Sequence, residues 1–169
     1  MSDITQPLRE EHQVLLPKIE KLRVVADCVG EFSRDHLQRS IDEVYDFLAH
    51  SLMPHVDAEE EVLYPAVARA LGSPRATASM SQDRVEIRHL TEQLRIFRAR
   101  MFQPDFAMVT ANELRRVLYG LYSIVKLHFA KEEEVYLPIL DSRLSEGDAH
   151  ELFHRIAEFA HNEAHQLGH

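Results

Sequence analysis

The chain contains the stretch His55-Val-Asp-Ala-Glu-Glu-Glu-Val-Leu-Tyr-Pro65 and, 73 residues later, a close copy, His128-Phe-Ala-Lys-Glu-Glu-Glu-Val-Tyr-Leu-Pro138. Each copy begins with a histidine that is followed four residues later by a glutamate. Residues four apart lie on one face of an α-helix, about one turn from each other, so each copy pairs an imidazole with a carboxylate. A single pair carries little weight, but two such copies indicate a two-fold helical bundle in which each half supplies one pair of metal ligands.

The composition is that of a globular helical protein. The 169 residues are 45% hydrophobic and 28% charged, which is enough for one domain with a substantial core. Five glycines and seven prolines leave little room for β-turns and favour helices. Eleven histidines and a single cysteine point to a metal chosen by nitrogen and oxygen ligands rather than by thiolates.

The charge and the cysteine count limit the partners and the compartment. A net charge of −9 argues against nonspecific binding of nucleic acid, which needs a positive field. No apolar run approaches about 18 residues, so no membrane span is expected, and the first residues lack the pattern of a signal peptide. Cys28 has no second cysteine to pair with, which predicts a reducing compartment, the cytoplasm.

Apolar residues recur at helical spacing in five segments, which predict helices at about 6–29, 33–71, 77–102, 106–141 and 146–166. Ser33 and Ser145 are suited to capping the second and fifth helices, and Gly72 to ending the second. Pro54 and Pro65 lie inside the second helix, which we therefore expect to be kinked or broken in two.

The first two helices resemble the next two, so we predict an all-α, up-down-up-down four-helix bundle over about 6–141, with an additional C-terminal helix over about 146–166. We expect one domain over residues 1–169. The apolar side of the fifth helix, which includes Leu152 and Ile156, is expected to pack on the bundle, or alternatively to form a dimer contact. The opposite side carries four histidines, which predict a solvated face or alternatively a pH-sensitive surface for association: His150, His154, His161 and His165.

The order of these features resembles the hemerythrin-like family, also called the hemerythrin HHE cation-binding domain. The resemblance covers about residues 7–141. It is strongest around His12 and over the two repeated stretches, 52–65 and 127–138. Members of this family hold two irons inside a four-helix bundle, bridged by two carboxylates and an oxo or hydroxo group.

The resemblance implies a ligand set for this chain. By position, His12, His55 and His128 would be terminal imidazole ligands, and Glu59 and Glu132 would be the bridging carboxylates. Imidazole and carboxylate suit iron, and buried carboxylates need a cation beside them. The expected cofactor is therefore a pair of iron ions with an oxo or hydroxo bridge, with zinc as the alternative.

The third helix departs from the family pattern, in which a histidine stands early in this helix. The internal repeat matches His12 to positions 84 and 85, which are Arg84 and Val85. The only imidazole on this helix is His89, and Glu86 lies nearer to the apolar stripe. We therefore take His89 as the candidate ligand, and keep Glu86, or no ligand from this helix, as alternatives.

A site with few ligands predicts reactivity. The oxygen-carrying members of the family use five histidines, whereas this chain offers at most four. A more open site favours binding, sensing or reaction with oxygen, peroxide or nitric oxide over reversible oxygen storage, which would suit a role in oxidative stress. Five tyrosines are expected in the core or at helix contacts, with recruitment to the metals as the alternative: Tyr45, Tyr64, Tyr119, Tyr122 and Tyr136.

A second hypothesis belongs to another class. Here the bundle is a degenerate member of the family that serves as an interaction module, bound to zinc or free of metal, with Arg84 as a cation in the place of a lost ligand. Whether the protein is an enzyme, and whether it is a monomer or a homodimer, is left open by the sequence. No Gly-rich phosphate loop or nucleophile motif is present, so nucleotide and hydrolase chemistry lack support.

Overall fold

The computed structural model describes the backbone of residues 4–101, 103 and 108–166, and within these ranges the side chains of all but 108, 109 and 164–166. The described residues form five helices and no strand. Helix α1 is Gln6–Cys28, α2 runs over 34–71, α3 is Ala78–Arg100, α4 runs over 108–143, and α5 is Glu146–Gln166. These bounds lie within about two residues of those predicted from apolar spacing, which is the usual uncertainty of helix ends.

The helix ends follow the expected capping chemistry. Ser33 accepts a hydrogen bond from the backbone N–H of His36 at the start of α2. Ser145 accepts one from the N–H of Asp148, 3.2 Å away, at the start of α5. Gly72 ends α2 in the left-handed conformation, with φ of 64°, which a side chain would disfavour.

Prolines widen the long helices instead of breaking them. Helix α2 contains two π-helical segments, Leu48–Leu52 and Glu59–Leu63, and α4 contains one, Glu132–Tyr136. Each lies just before a helix segment whose second residue is proline. Because proline has no N–H and its ring clashes with the carbonyl four residues back, the preceding residue bonds five residues back, as Tyr64 does to the carbonyl of Glu59. Of the two predicted outcomes for α2, a kink or a break, the break does not occur, and the helix continues through both prolines.

Helices α1 to α4 form the predicted up-down-up-down bundle. In each pair of neighbouring helices, residue numbers rise along one helix as they fall along the other, so the helices are antiparallel. The contacts are Glu11–His55 and Lys21–Glu43 for α1 and α2, Asp57–Arg84 and Asp42–Arg98 for α2 and α3, Asp83–His128 and Leu90–Gly120 for α3 and α4, and His12–Glu133 and Asp27–Tyr119 for α1 and α4. Gly120 lets α3 approach α4, because a Cβ there would lie 3.3 Å from Leu90 Cδ1.

The apolar core is divided into two clusters along the bundle axis. The larger one fills the end formed by the C-terminal half of α1 and the first half of α2, and includes Ile19, Leu22 and Leu52. The smaller one lies at the other end and includes Leu63 and Leu137. Polar side chains are buried between these two clusters, which is where the candidate site lies.

Helix α5 packs on the bundle, as the sequence predicted. Leu152 and Ile156 belong to the smaller apolar cluster and are only 5% and 6% exposed. The helix lies against the part of α2 over 53–63. Among the described residues, no helix is both long and apolar enough to cross a membrane.

Candidate metal centre

Five side chains from three helices meet in the polar layer between the two apolar clusters. His12 comes from α1, His55 and Glu59 from α2, and His128 and Glu132 from α4; none is more than 3% exposed. Histidine and glutamate are costly to bury alone, because water no longer satisfies their polar atoms. Their burial together requires that they satisfy one another or share a cation.

The Nε2 atoms of the imidazoles face the carboxylate oxygens. His55 Nε2 lies 2.9 Å and His12 Nε2 3.4 Å from Oε1 of Glu59, whereas His128 Nε2 lies 3.6 Å from the other oxygen, Oε2. Glu132 also divides its oxygens, with Oε2 3.4 Å from His12 and Oε1 3.3 Å from His128. Each carboxylate therefore spans two sides of the cluster, a first side with His12 and His55 and a second side with His128.

Several of these atoms are close but not bonded to each other. His55 Nε2, Glu59 Oε2 and Glu132 Oε2 are buried without a hydrogen-bond partner, although nitrogen and oxygen atoms lie nearby. Ligand atoms of His12, His55, Glu59 and Glu132 all lie within 4.8 Å of one another. Nitrogen and oxygen atoms that converge on a common space are the arrangement that a bound cation completes once the imidazoles have lost their protons. The residues present thus fit a metal centre.

Each imidazole is also held from behind by a carboxylate at its other ring nitrogen. The distances from Nδ1 to the nearest carboxylate oxygen are 2.6 Å for His12 and Glu133, 3.0 Å for His55 and Glu11, and 3.3 Å for His128 and Asp83. Such a contact fixes the orientation and tautomer of a metal-binding histidine and leaves Nε2 free to coordinate. Because all three histidines make this contact through Nδ1, all three would bind a metal through Nε2.

The pKa values of the buried histidines and glutamates are shifted by burial and by the charges of their neighbours in the cluster. Burial works to lower the pKa of His55, but Glu59 and Glu11 raise it to about 10. Burial works to raise the pKa of Glu59, but the imidazoles beside it, His55 first, hold that pKa well below its usual range. The pKa of Glu132 is raised by burial and by the charge of Glu59. Without a cation, the cluster therefore holds protons on its imidazoles, which a metal would have to displace.

Tyr64 and Phe129 complete the surroundings of the cluster. The hydroxyl of Tyr64, which is 2% exposed, donates to Glu132 Oε1 at 2.8 Å and lies 3.0 Å from His128 Nε2. Burial and the nearby charges of Glu59 and Glu132 raise the pKa of Tyr64 well above its usual range. The ring of Phe129 stacks on that of His12 with 4.2 Å between centroids, on the side of the larger apolar cluster.

The third helix supplies no imidazole to the cluster. His89 is exposed, and its Nε2 lies 2.8 Å from Nε2 of Gln93 on the same helix. The buried stripe of α3 passes through Met80, Ile87 and Leu94. His89 stands two residues after Ile87, about 200° around the helix, and so faces away from the core. The structure therefore does not place the predicted ligand His89 in the cluster. Glu86, the alternative, is exposed as well, so the arrangement matches the third possibility, in which this helix supplies no ligand.

Asp83 is what α3 contributes instead. It stands on the buried stripe, three residues after Met80 and four before Ile87, and contacts both His128 Nδ1 and the amine of Lys131. Asp83 was not among the site residues predicted from the sequence, although a carboxylate within an apolar stripe indicates a buried polar contact. Arg84 does not act as a cation for the buried carboxylates; its Nε donates to Asp57 at 2.6 Å.

The other tyrosines with hydrogen bonds lie outside the cluster. Tyr136, in the second copy of the repeat, donates to the backbone carbonyl of Ala76 at 2.9 Å. Tyr119 donates to Asp27 and Tyr122 to Glu20, both at contacts between α1 and α4. Tyr45 is half-buried under the guanidinium of Arg98.

Comparison with known families agrees with this geometry. The family described as "Hemerythrin HHE cation binding domain" matches residues 3–140, which is most of the chain. The chain belongs to the hemerythrin HHE cation-binding family. No curated protein and no solved structure matches at a significant level. The match covers α1, α2, α3 and nearly all of α4, whereas α5 lies beyond it.

The description of the hemerythrin HHE family names cation binding, and the matched range 3–140 contains all five buried residues. Four of those residues, His55, Glu59, His128 and Glu132, belong to the repeated stretches, and His12 is the single imidazole of α1 in the cluster. The family match indicates a cation-binding domain, and the cluster is compatible with metal binding.

Proposed function

We propose that this protein holds two iron ions in the buried cluster and uses them to bind, sense or react with a small oxidant or diatomic gas: oxygen, peroxide or nitric oxide. One observation carries the proposal, namely that Glu59 and Glu132 each turn one oxygen to His12 on the first side and the other to His128 on the second. A carboxylate so divided is suited to bridge two cations. Three imidazoles and two carboxylates suit iron better than a tetrahedral zinc site, which is filled by four ligands.

The chain's own residues prepare this site in three ways. His12, His55 and His128 would hold the ions through Nε2, and Glu133, Glu11 and Asp83 keep those rings oriented. The apolar clusters on either side, with Phe129 stacked on His12, keep bulk water away and strengthen the electrostatic interactions inside. Bound iron would supply electrons and open coordination positions, more of them than in members with five histidine ligands.

A role in oxidative stress and a place in the cytoplasm are part of this proposal. They are supported by the small number of ligands and by Cys28, which is free and half-exposed. The partner would be a small oxidant or gas that diffuses into the bundle, and the protein would be a monomer or a homodimer.

Metal analysis tests the proposal directly. Ferrous iron would be added without oxygen, excess metal removed, and iron counted per chain before and after oxidation, with the near-ultraviolet absorption of a bridged ferric pair as the second readout. We expect two iron ions per chain. A value well below one iron per chain after loading would overturn the proposal. If the protein binds two irons per chain but its spectrum does not change on mixing with oxygen, peroxide or nitric oxide, the proposed metal centre stands and its proposed reactivity is wrong.

Chelation distinguishes this function from a metal-free or zinc-bound interaction module. Because a ligand that binds only the folded state stabilises it, metal at about 100 times its dissociation constant adds about 2.7 kcal/mol, or roughly 5–10 °C in melting temperature. We expect the melting temperature to fall by such an amount when iron is removed. An unchanged melting temperature would favour the interaction module, and recovery with zinc but not with iron would favour a zinc site.

A further inference from the structure

The two sides of the buried cluster are not equivalent. The first side has two imidazoles, from His12 and His55, whereas the second has only His128, and α3 adds none. The hydroxyl of Tyr64 occupies space on this second side, within 3.0 Å of His128 Nε2 and 2.8 Å of Glu132 Oε1. An oxygen that approaches two neighbouring ligand atoms so closely lies where a cation bound by both of them would also contact it.

The position of Tyr64 is where the two repeated stretches differ. In the first copy tyrosine stands directly before the proline, at Tyr64, whereas in the second copy that place is taken by Leu137 and the tyrosine comes one residue earlier, at Tyr136. The shift of one residue turns the side chain by about 100° on a helix. Tyr136 accordingly donates to the carbonyl of Ala76, away from the cluster. Core packing alone does not require a hydroxyl at position 64, because Leu137 is fully buried at the matching place.

We propose that Tyr64 is a ligand of the metal ion on the His128 side, bound through its phenolate oxygen; this rests on the proposed iron-binding function. Binding breaks the phenol O–H bond, gives the oxygen lone pair to the metal and releases one proton to solvent, with no change in oxidation state. Phenolate is a hard oxygen donor that suits ferric iron.

The absorption spectrum tests this ligand without a measurement of activity. Ferric iron bound by phenolate absorbs in the visible region, and excitation of that band enhances the ring vibrations of the bound tyrosine in the Raman spectrum. The iron-loaded, oxidised protein and its Tyr64→Phe and Tyr136→Phe variants would be compared at measured iron content. We expect the visible band in the native protein and in Tyr136→Phe, and its loss in Tyr64→Phe.

The outcomes separate this inference from the proposed function. A visible band that persists in Tyr64→Phe, or a native protein that is full of iron but has no such band, overturns the ligand role and leaves the iron site in place. A native protein that binds no iron overturns both. If Tyr64→Phe does not fold, Tyr64→Leu replaces it, since leucine already fills the matching buried place at residue 137.

Discussion

Glu59 connects the two sides of the buried cluster through a single carboxylate. Its Oε1 lies near His12 and His55 and its Oε2 near His128, so one side chain contacts all three imidazoles. It is fully buried, and Oε2 has no hydrogen-bond partner. An unpaired buried carboxylate oxygen is unfavourable unless a cation is beside it. At the scale of single residues, this unpaired oxygen is the feature of the cluster that most favours a bound metal.

His128 is the imidazole whose removal should matter most for the second side. We expect His128→Ala to lose at least one iron per chain, because no other histidine with a described side chain lies on that side. We expect His89→Ala to retain the native iron content, because His89 is exposed and outside the cluster. Iron per chain after anaerobic loading is the measurement. Loss of iron from His89→Ala, with iron retained in His128→Ala, would contradict the assignment of both residues.

Asp83 should influence the metal through the ring of His128. Because it contacts Nδ1, Asp83→Asn weakens the orientation and basicity of that imidazole, and we expect metal affinity to fall about 10- to 100-fold. Titration against a competing chelator measures the affinity. Asp57→Asn is the matched control, since Asp57 likewise joins two helices, α2 and α3, by ion pairs, which it makes with Arg84 and Arg88 and not with an imidazole of the cluster. An equal loss of metal affinity in both variants would show that Asp83 acts only by stabilising the contacts between helices, and not through the ring of His128.

The π-helical segments act at the scale of the element. Of the three π-helical segments in the described part of the chain, two begin at the buried glutamates of the cluster, as Glu59–Leu63 and Glu132–Tyr136. Each adds a residue to one turn just before a proline, which changes the direction in which the following side chains point. Tyr64 follows the first of these segments and enters the cluster, whereas the tyrosine of the second copy lies inside its segment and points to Ala76.

Helix α5 stabilises the part of α2 that carries His55 and Glu59. We expect Leu152→Ala to lower the free energy of unfolding by about 2–4 kcal/mol, because it leaves a cavity in the smaller apolar cluster. His150→Ala on the exposed side of the same helix should change it by less than about 0.5 kcal/mol. Urea unfolding monitored by circular dichroism measures both. Similar effects of the two substitutions would mean that α5 does not pack through Leu152 in solution.

At the scale of the whole molecule, the buried histidines couple folding to pH when metal is absent. The pKa of His55 is about 10 in the folded protein, whereas an ordinary histidine, as in an unfolded chain, has a pKa of 6.5. Between these two pH values the folded state holds a proton that the unfolded chain releases. The pKa values of His12 and His128 are raised too. Stability from these protons is complete below about pH 6.5 and is lost as the pH rises toward 10.

We therefore expect the melting temperature of the metal-free protein to decrease steadily between pH 7 and pH 9.5. The iron-loaded protein is the control, because metal ions replace the imidazole protons and remove most of this dependence. Melting followed by circular dichroism over the same buffers gives both curves. A metal-free protein that gains stability over this interval would show that its histidines are neutral in the folded state.

Much of the architecture follows from patterns along the chain. The apolar spacing predicts all five helices, and Ser33, Gly72 and Ser145 mark ends that depend on local hydrogen bonds and backbone conformation. The sequence did not predict that α2 continues through Pro54 and Pro65. A proline can either break a helix or be accommodated by a π-helical turn, and packing against the rest of the bundle decides between these outcomes.

The sequence by itself determined the helical class, the family and the pairs His55–Glu59 and His128–Glu132, because a spacing of four residues places side chains on one face whatever the surroundings. Only the tertiary structure decided which partners reach the cluster from other helices. It turned His89 to solvent, brought Asp83 to His128, and placed the hydroxyl of Tyr64 beside Glu132. These outcomes depend on the rotation of each helix about its own axis and on a one-residue widening of a helical turn, which the packing of all five helices sets together.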